Sequence, residues 1–204
     1  MAELDLWFDF ASTYSYPTAM RLRPLAAEAG VTVKLRPFLL GPIFKAQGWT
    51  TSPFNLYTAK GRAMWRDLER ICADAGLPFR RPDPFPQNSL LAARVALVGL
   101  EAAWGETFCV EVFRAEFGDG QPIDSKDTIA AILKRLDVAP DKVFADAQSD
   151  AIKMRLRAQT EEAERRGIFG APTFTTEDGE LFWGNDRLEQ ALRWAAKGGG
   201  AQNV

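Results

Sequence analysis

Residues 4–16 read LDLWFDFASTYSY, an apolar run that leads into a turn rich in small polar residues. The first residues of this run alternate and then become fully apolar, which predicts a central β-strand. Ser12 and Ser15 follow in the turn, at the spacing of a Cys-x-x-Cys motif and at the start of a predicted helix. The helix is expected to end at Gly30, and a second strand is predicted over residues 31–38. Strand, helix and strand in this order predict a βαβ unit with parallel strands.

Two late segments carry a second pattern, since residues 169–174 read FGAPTF and residues 182–187 read FWGNDR. Strands are predicted over residues 173–176 and 180–183. The sequence Glu177-Asp178-Gly179 between them is typical of a hairpin turn. The end of the chain therefore predicts two antiparallel strands that are followed by a helix.

The long middle of the chain, residues 41–166, shows no further strand pattern. Residues 1–40 and 167–204 are therefore predicted to form one α/β domain of order βαβ…ββα, interrupted by an all-helical insertion at residues 41–166. A strand, a turn, a helix and a late Ala-Pro-Thr before a strand occur in this order in thioredoxin-like folds. Asp124 or Ser125 is expected to cap one of the inserted helices. Helical spacing is found over residues 53–74, 89–104, 106–116, 126–136 and 149–166.

Composition restricts the partners. The chain has 204 residues, of which 47% are hydrophobic, and a net charge of −2. This balance provides no basic field for nucleic acid or an anionic membrane surface. The first residues lack the basic and apolar regions of a signal peptide, and no apolar run approaches the ~18 residues of a membrane span. We therefore expect a cytoplasmic protein.

The chain contains no histidine and only two cysteines. Without histidine, Ser-His-Asp and Cys-His catalysis is excluded, and most zinc sites lose their usual ligand, so no metal site is expected. Cys72 and Cys109 stand on apolar helix faces and lack Cys-x-x-Cys spacing, which predicts buried reduced thiols. Proton transfer near neutral pH must then come from a substrate, water or another polar group.

Ser12 is the first candidate for chemistry. A helix start presents unpaired N–H groups and partial positive charge, which stabilise a thiolate. The Ser12 hydroxyl could donate a hydrogen bond to the thiolate of a bound molecule, or it could simply cap the helix. Ser15 is interpreted as an ordinary residue of the first helical turn.

The late segments offer two further binding elements. The bond between Ala171 and Pro172 is a candidate cis bond that would present the Ala171 N–H and C=O groups to an extended peptide; the alternative is a trans proline at a strand edge. In the turn after Trp183, the N–H groups of Asn185 and Asp186 could hold a carboxylate, and the Asp186 side chain could accept from an ammonium group.

Asn185 or Asp186 could instead cap the last predicted helix. That helix is expected to reach about Lys197 and to end at Gly198-Gly199-Gly200, before a disordered tail.

Aromatic residues crowd the insertion, with Lys45, Asn55 and Asn88 among them. A lysine among aromatic rings could pair with the carboxylate of a flat organic anion. The alternative is that the rings belong to the core and the lysine is solvated. The aromatic residues are Phe44, Trp49, Phe54, Tyr57, Trp65 and Phe85.

Together these segments resemble the 2-hydroxychromene-2-carboxylate isomerase family, which is close to the kappa-class glutathione transferases within the DsbA-like thioredoxin superfamily. The resemblance implies a glutathione-dependent enzyme of bacterial aromatic degradation, usually a homodimer. One departure is Thr13, where the family often has proline. The resemblance is carried by residues 8–16, Lys45 and residues 53–55, 86–89, 167–173 and 183–187.

The resemblance also implies roles for individual residues. Ser12 matches the serine that meets the glutathione sulfur, and Ala171 with Pro172 matches the pair that binds the glutathione backbone. The γ-glutamyl-binding turn corresponds to Trp183, Gly184, Asn185 and Asp186, and the substrate side corresponds to Phe44, Lys45, Asn55 and Asn88.

The reaction that the resemblance implies is a cis–trans isomerisation of a small aromatic carboxylate. Glutathione thiolate adds to the conjugated carbon of an open enone, a bond rotates, and elimination returns the thiolate. Two alternatives remain open: a kappa-class-like transferase or peroxidase acting on electrophiles, and a non-catalytic thioredoxin-like module that binds peptides.

Overall fold

A mixed four-stranded sheet forms the centre of the protein, whose computed structural model describes residues 2–198. Strand β1 (Ala2–Phe8) pairs in parallel with β2 (Val31–Pro37) and antiparallel with β3 (Thr173–Thr176). Strand β3 pairs antiparallel with β4 (Leu181–Trp183), which gives the order β2-β1-β3-β4. The predicted βαβ…ββα arrangement is therefore confirmed.

Helices form most of the remaining chain. Helix α1 (Ser15–Ala29) links β1 to β2 and ends at Gly30, whose φ of 65° is a left-handed conformation that glycine adopts without steric cost. The other helical segments are α2 (Leu40–Ala46), α3 (Pro53–Leu56), α4 (Thr58–Asp74), α5 (Leu90–Gly99), α6 (Gly105–Phe113), a π-helical turn (Arg114–Gly118), α7 (Lys126–Arg135), α8 (Pro140–Ala147), α9 (Asp150–Arg165), a 3₁₀ turn (Asn185–Arg187) and α10 (Leu188–Ala196).

The insertion has more breaks than the sequence predicted. The helix predicted over residues 53–74 is divided at Tyr57, whose φ of −110° and ψ of 90° are extended, so α3 and α4 are separate. The helix predicted over residues 89–104 ends at Gly99, and Trp104 precedes the start of α6. Helices α2 and α8 had no predicted counterpart.

The caps were predicted in part. Ser125 caps α7, because its hydroxyl accepts a hydrogen bond from the Thr128 N–H at 3.5 Å. The prediction that Asn185 or Asp186 caps the last helix was wrong, since both lie within the 3₁₀ turn and neither side chain bonds a helix N–H there. Helix α10 ends at Ala196, one residue before the predicted end at about Lys197, and Gly198 follows with a φ of 75°. The rest of the predicted glycine run and the tail, residues 199–204, lie outside the described residues.

Successive side chains of β1 point to opposite faces of the sheet and so separate two parts of the core. Leu4, Leu6 and Phe8 belong to a large buried cluster with residues of α1, α5, α6 and α10. Trp7 lies on the other face and packs with Ile43 of α2 and other residues. The main cluster joins the sheet to the inserted helices, and the division into two domains at residues 40 and 167 stays a prediction. None of the helices within residues 2–198 is long and apolar enough to cross a membrane.

Candidate functional site

A cavity of about 920 Å³ opens beside the carboxyl end of β1. Its wall is formed by the turn after β1, by α2 and the loop that follows it, by the segment before α5, and by residues 169–171. The volume suits a small organic ligand. Residues predicted for catalysis or binding from distant parts of the chain meet in this wall, namely Ser12, Phe44, Lys45, Asn88, Ala171 and Trp183.

Ser12 is held in the turn between β1 and α1. Its N–H donates to the Asp9 carbonyl at 2.9 Å, and its own carbonyl accepts from the Ser15 N–H at 3.2 Å. Its hydroxyl donates to the Ala171 carbonyl at 2.9 Å, across 159 residues of sequence. Helix α1 begins only at Ser15, and the residue before it makes no side-chain cap, so Ser12 does not cap the helix. The Ser12 hydroxyl therefore links the first turn to the late Ala-Pro segment.

The late segments are joined to each other by the sheet. The bond between Ala171 and Pro172 is cis, which is one of the two alternatives that the sequence left open. The Pro172 carbonyl accepts from the Gly184 N–H at 3.0 Å, and Thr173 is paired with Trp183 in the antiparallel register. The two segments that resemble glutathione-binding elements are thus neighbours in the sheet, and Ala171 joins them to Ser12.

Gly184 gives the turn after β4 its shape. Its φ of 118° lies in a region that side-chain-bearing residues rarely adopt, and a Cβ there would lie 2.6 Å from the Asp186 Oδ1 atom. The 3₁₀ turn starts at the next residue, and the first N–H groups of a helical turn have no partner within that turn. These N–H groups and the Asp186 carboxylate are therefore close together.

Asn185 and Asp186 have different surroundings. The Asn185 side chain is buried, and its Oδ1 atom accepts from the Thr18 hydroxyl and from Arg21, both at 3.0 Å. Asn185 can therefore offer a ligand its backbone, while its side chain anchors the turn to α1. Asp186 is 73% exposed and lies 3.5 Å from Arg187, so its carboxylate remains accessible to a ligand cation.

On the substrate side, Phe44 and Trp49 form an aromatic pair with ring centroids 5.6 Å apart. Lys45 follows Phe44 in α2 and is exposed at the cavity wall. The Asn88 Oδ1 atom accepts from the Leu90 N–H at 3.0 Å, at the start of α5. The wall thus combines flat aromatic rings with an accessible cation.

Of the four residues predicted for the substrate side, all of which the structure describes, Asn55 alone lies outside the cavity wall. Its side-chain amide donates to the Thr51 hydroxyl at 3.3 Å and to the Phe85 carbonyl at 3.0 Å. Both of those residues do lie in the wall. Asn55 therefore connects two parts of the wall from behind.

The other residues of the wall were not predicted as site residues, and those with functional groups or large exposed rings include Asp9, Tyr14, Lys60 and Phe169. Asp9 lies within residues 4–16 and Phe169 within residues 169–174, the two segments from which the fold was predicted. Their place in those segments is the signal that could have indicated them. Phe169 is 47% exposed and contacts the ring of Trp183, with centroids 4.9 Å apart. The Lys60 ammonium lies 4.9 Å from the ring centroid of Tyr57.

Two buried or partly buried groups near Ser12 have shifted pKa values. Burial raises the pKa of the Asp9 carboxyl, although hydrogen bonds from Leu40, Ser89 and Ala11 lower it. Burial, and then the neighbouring Asp67 carboxylate that accepts the Tyr14 hydroxyl at 2.9 Å, raise the pKa of Tyr14 well above its ordinary value. The Tyr14 hydroxyl is therefore neutral at physiological pH.

The two cysteines are free and buried, as predicted. Burial raises the pKa of Cys72 to about 11, and burial together with Glu106 raises the pKa of Cys109. Neither thiol is therefore ionised at neutral pH. Within residues 2–198, no group of three or more His, Cys, Asp or Glu side chains could hold a metal ion.

The chain matches the family model of the DsbA-like thioredoxin domain over residues 3–193. It is 30% identical to a 2-hydroxychromene-2-carboxylate isomerase of Pseudomonas putida, over 91% of this chain and 90% of that protein. It is 25% identical to glutathione S-transferase kappa 2 of Caenorhabditis elegans, over 95% of this chain and 92% of that protein. A solved structure of a 2-hydroxychromene-2-carboxylate isomerase superposes with a TM-score of 0.83 at 28% identity, over 92% of this chain and 91% of that chain.

Proposed function

The chain belongs to the DsbA-like thioredoxin family, and within that family we propose that it is a glutathione-dependent cis–trans isomerase of the 2-hydroxychromene-2-carboxylate type. Its similarity to isomerases with that name supports the proposal. The observation that carries it is the position of the Ser12 hydroxyl, 2.9 Å from the Ala171 carbonyl in the wall of a large cavity. A serine at this position can bind a thiolate, but it cannot itself exchange disulfides.

The surface beside Ser12 fits glutathione, a flexible tripeptide whose sulfur, backbone and γ-glutamyl end need different partners. The Ser12 hydroxyl can donate to the sulfur. Ala171 and Pro172 precede β3 directly and can bind extended backbone as a short strand would. The N–H groups at the turn after Gly184 and the exposed Asp186 carboxylate support the proposal that an α-amino acid end binds there.

When bound, glutathione would supply a thiolate nucleophile for reversible addition to a conjugated carbon. The protein's own residues bind and orient the two ligands. The Ser12 hydroxyl favours the ionised form of a bound thiol by donating to it. Lys45 holds the substrate carboxylate, and the Phe44 and Trp49 rings flank its flat aromatic part. The proposed reaction needs no histidine, because glutathione is the nucleophile and the protein only binds and orients the reactants.

A transferase that joins glutathione to electrophiles is the second candidate, favoured by the similarity to glutathione S-transferase kappa 2. The same residues would bind glutathione in both reactions. The fate of the thiol separates them, because a transferase consumes one thiol for each product and an isomerase consumes none.

The test uses purified protein, 2-hydroxychromene-2-carboxylate and glutathione at one tenth of the substrate concentration. We expect the substrate to reach its isomerisation equilibrium with more than one turnover for each glutathione, and with the free thiol count unchanged at the end. Loss of one thiol for each product would assign the protein to the transferases. The same rate without glutathione would contradict the proposed glutathione dependence. No turnover together with no glutathione binding would contradict the proposed function and favour a peptide-binding module.

The proposal includes a cytoplasmic location, where thiols such as Cys72 and Cys109 stay reduced. It also includes a homodimer as the assembled form. Light scattering after size-exclusion chromatography should then give twice the chain mass of 22.6 kDa. A mass equal to one chain would contradict the dimer alone.

A further inference from the structure

Asp9, the first residue after β1, is a buried carboxylate to which three separate segments of the site are bonded. Its Oδ1 atom accepts from the Ala11 N–H at 3.0 Å and from the Ser89 hydroxyl at 2.6 Å. Its Oδ2 atom accepts from the Leu40 N–H at 2.8 Å. Asp9 also lies in the cavity wall, so these bonds are formed at the site itself.

Each donor is next to a residue of the proposed site or on the same helix as one. Ala11 precedes Ser12, which meets the thiol. Ser89 follows Asn88, at the start of α5. Leu40 is the first residue of α2, the helix that carries Phe44 and Lys45. One carboxylate thus connects the thiol side of the cavity to both parts of its substrate side.

We propose that Asp9 is a positioning residue that fixes the substrate-side wall of the cavity relative to Ser12. This inference rests on the proposed function, because it assigns Asp9 to the alignment of an aromatic carboxylate with a bound thiol. Asp9 acts through the segments that it holds. A carboxylate suits this task because both of its oxygens accept, whereas a neutral amide has one acceptor oxygen and one donor nitrogen.

This chemistry predicts a selective defect in Asp9→Asn. The amide oxygen can still accept from Ala11 and Ser89, so the turn that holds Ser12 should persist. The amide nitrogen would face the Leu40 N–H, which leaves two donors opposed, and the start of α2 should move away. The substrate side should therefore be impaired while the glutathione side, built from residues 171–186, remains intact.

The experiment measures binding of two ligands separately. Affinity for 2-naphthoate, a flat aromatic carboxylate, is followed by its fluorescence, and affinity for glutathione by calorimetry. We expect Asp9→Asn to weaken naphthoate binding by ~10-fold or more, because the bond to Leu40 is lost and the start of α2 is released. Glutathione binding should change by less than ~2-fold, because the bonds to Ala11 and Ser89 persist as neutral hydrogen bonds. Ser89→Ala, which removes a different bond of the same carboxylate, should weaken naphthoate binding by ~3-fold by the same reasoning.

Asp5→Asn is the matched control. Asp5 lies on β1, four residues before Asp9, and its carboxylate accepts from Arg36 at 3.1 Å, away from the cavity wall. The Asp5→Asn substitution should leave the affinities for naphthoate and for glutathione unchanged. Equal weakening of both ligands in Asp9→Asn, or weakening of neither, would overturn the role of Asp9. Should Asp9→Asn fail to fold by circular dichroism, Ser89→Ala decides by the same comparison.

Turnover measurements distinguish a failure of the proposed function from a failure of the role proposed for Asp9. If the wild-type protein does not isomerise 2-hydroxychromene-2-carboxylate, the proposed function is contradicted. If it does, and Asp9→Asn keeps the wild-type affinity for naphthoate and the wild-type kcat/KM, only the role of Asp9 is contradicted.

Discussion

At the scale of single residues, the bond from the Ser12 hydroxyl to the Ala171 carbonyl indicates what the serine can do for a ligand. A thiolate is the stronger acceptor, so the hydroxyl can transfer its hydrogen bond when glutathione binds. Ser12→Ala should lower kcat/KM by ~10- to 1000-fold, because one oriented donor to an anion is worth a few kcal/mol.

Ser15→Ala is the control for that substitution, since the Ser15 hydroxyl is buried three residues further on and makes no hydrogen bond within the described part of the chain. It should stay within ~2-fold of the wild-type activity, as expected when no bond is lost. Steady-state kinetics and thermal unfolding check both variants. Equal losses in the two variants would show that Ser12 acts on folding alone.

Lys45 is predicted to bind the substrate carboxylate. Lys45→Met removes the charge and retains most of the stem. It should cut kcat/KM for the carboxylate substrate by ~10- to 150-fold, since a charge-assisted contact is worth roughly 1.5 to 3 kcal/mol. Conjugation of an uncharged electrophile, which needs no such contact, should change little.

Lys60→Met tests the alternative within the same wall. Lys60 lies over the Tyr57 ring and should contribute less to carboxylate binding. Parallel kinetic measurements on both substrates compare the two lysines. A larger loss in Lys60→Met would assign the carboxylate to Lys60 and remove Lys45 from the site.

Asp186→Ala should raise the glutathione KM more than it lowers kcat. The exposed carboxylate is proposed to bind the γ-glutamyl ammonium group, which takes no part in the reaction. A contact made equally in the ground and transition states affects KM alone. Titrating glutathione at saturating substrate measures both constants, and a fall in kcat at constant KM would reverse the proposed orientation of glutathione.

At the scale of elements, the π-helical turn Arg114–Gly118 holds a carboxyl group in an unfavourable place. Glu116 is fully buried, and both of its side-chain oxygens are without a partner within residues 2–198. Burial, and then the charges of Asp9 and Asp124, raise the pKa of Glu116 well above its ordinary value. A raised pKa in the folded state means that the folded protein binds the proton more tightly than the unfolded chain does. Tighter proton binding by folded Glu116 stabilises the protein fully below the pKa that Glu116 has in the unfolded chain. This stabilisation is lost as the pH rises through the pKa that Glu116 has in the folded protein.

Glu116→Met should therefore stabilise the protein at pH 7 by roughly 1 to 3 kcal/mol, the cost of an unpaired buried polar group. The gain should be smaller at pH 4, where the wild-type carboxyl is protonated in both states. Urea unfolding at both pH values measures it. Glu161→Met, at an exposed position, should remain within ~0.5 kcal/mol of the wild type. A destabilised Glu116→Met would show that the buried acid has a partner that it needs.

Short elements were the ones that sequence reasoning missed. Helix α2 has only seven residues, and isolated helices of that length are unstable in water. It is fixed by distant contacts, since the Leu40 N–H bonds Asp9 and the Leu39 N–H bonds the Thr160 hydroxyl at 3.2 Å. The long helices α1 and α9 were predicted because their patterns are local.

At the scale of the whole molecule, the fold was predicted mainly from two segments near the ends of the chain. Residues 4–16 and 169–187 contain most of β1, all of β3 and β4, and the turns that follow β1 and β4. The sheet places these two segments side by side, with Trp7 opposite Thr173. The candidate site was predicted only where residues belong to those segments or to a quoted motif. Asp9 was missed although it lies in the first segment, because its bonds to Leu40 and Ser89 form only in the folded chain. Lys60 was missed, and Asn55 lies behind the wall, because contacts within the insertion decide which side chains reach the cavity.

The central claim is that this molecule binds glutathione as a thiolate at Ser12. The direct measurement is a pH titration of thiolate absorbance near 240 nm, taken as the difference between protein with and without glutathione. Cys72, with a pKa of about 11, and Cys109, whose pKa burial also raises, stay protonated below pH 9. The signal in that range therefore reports glutathione.

We predict that the bound thiol ionises at least ~1 pH unit below the free value of about 8.5, and that Ser12→Ala returns it toward that value. No binding of glutathione, or a bound thiol that titrates at the free value in the wild-type protein, would contradict the claim.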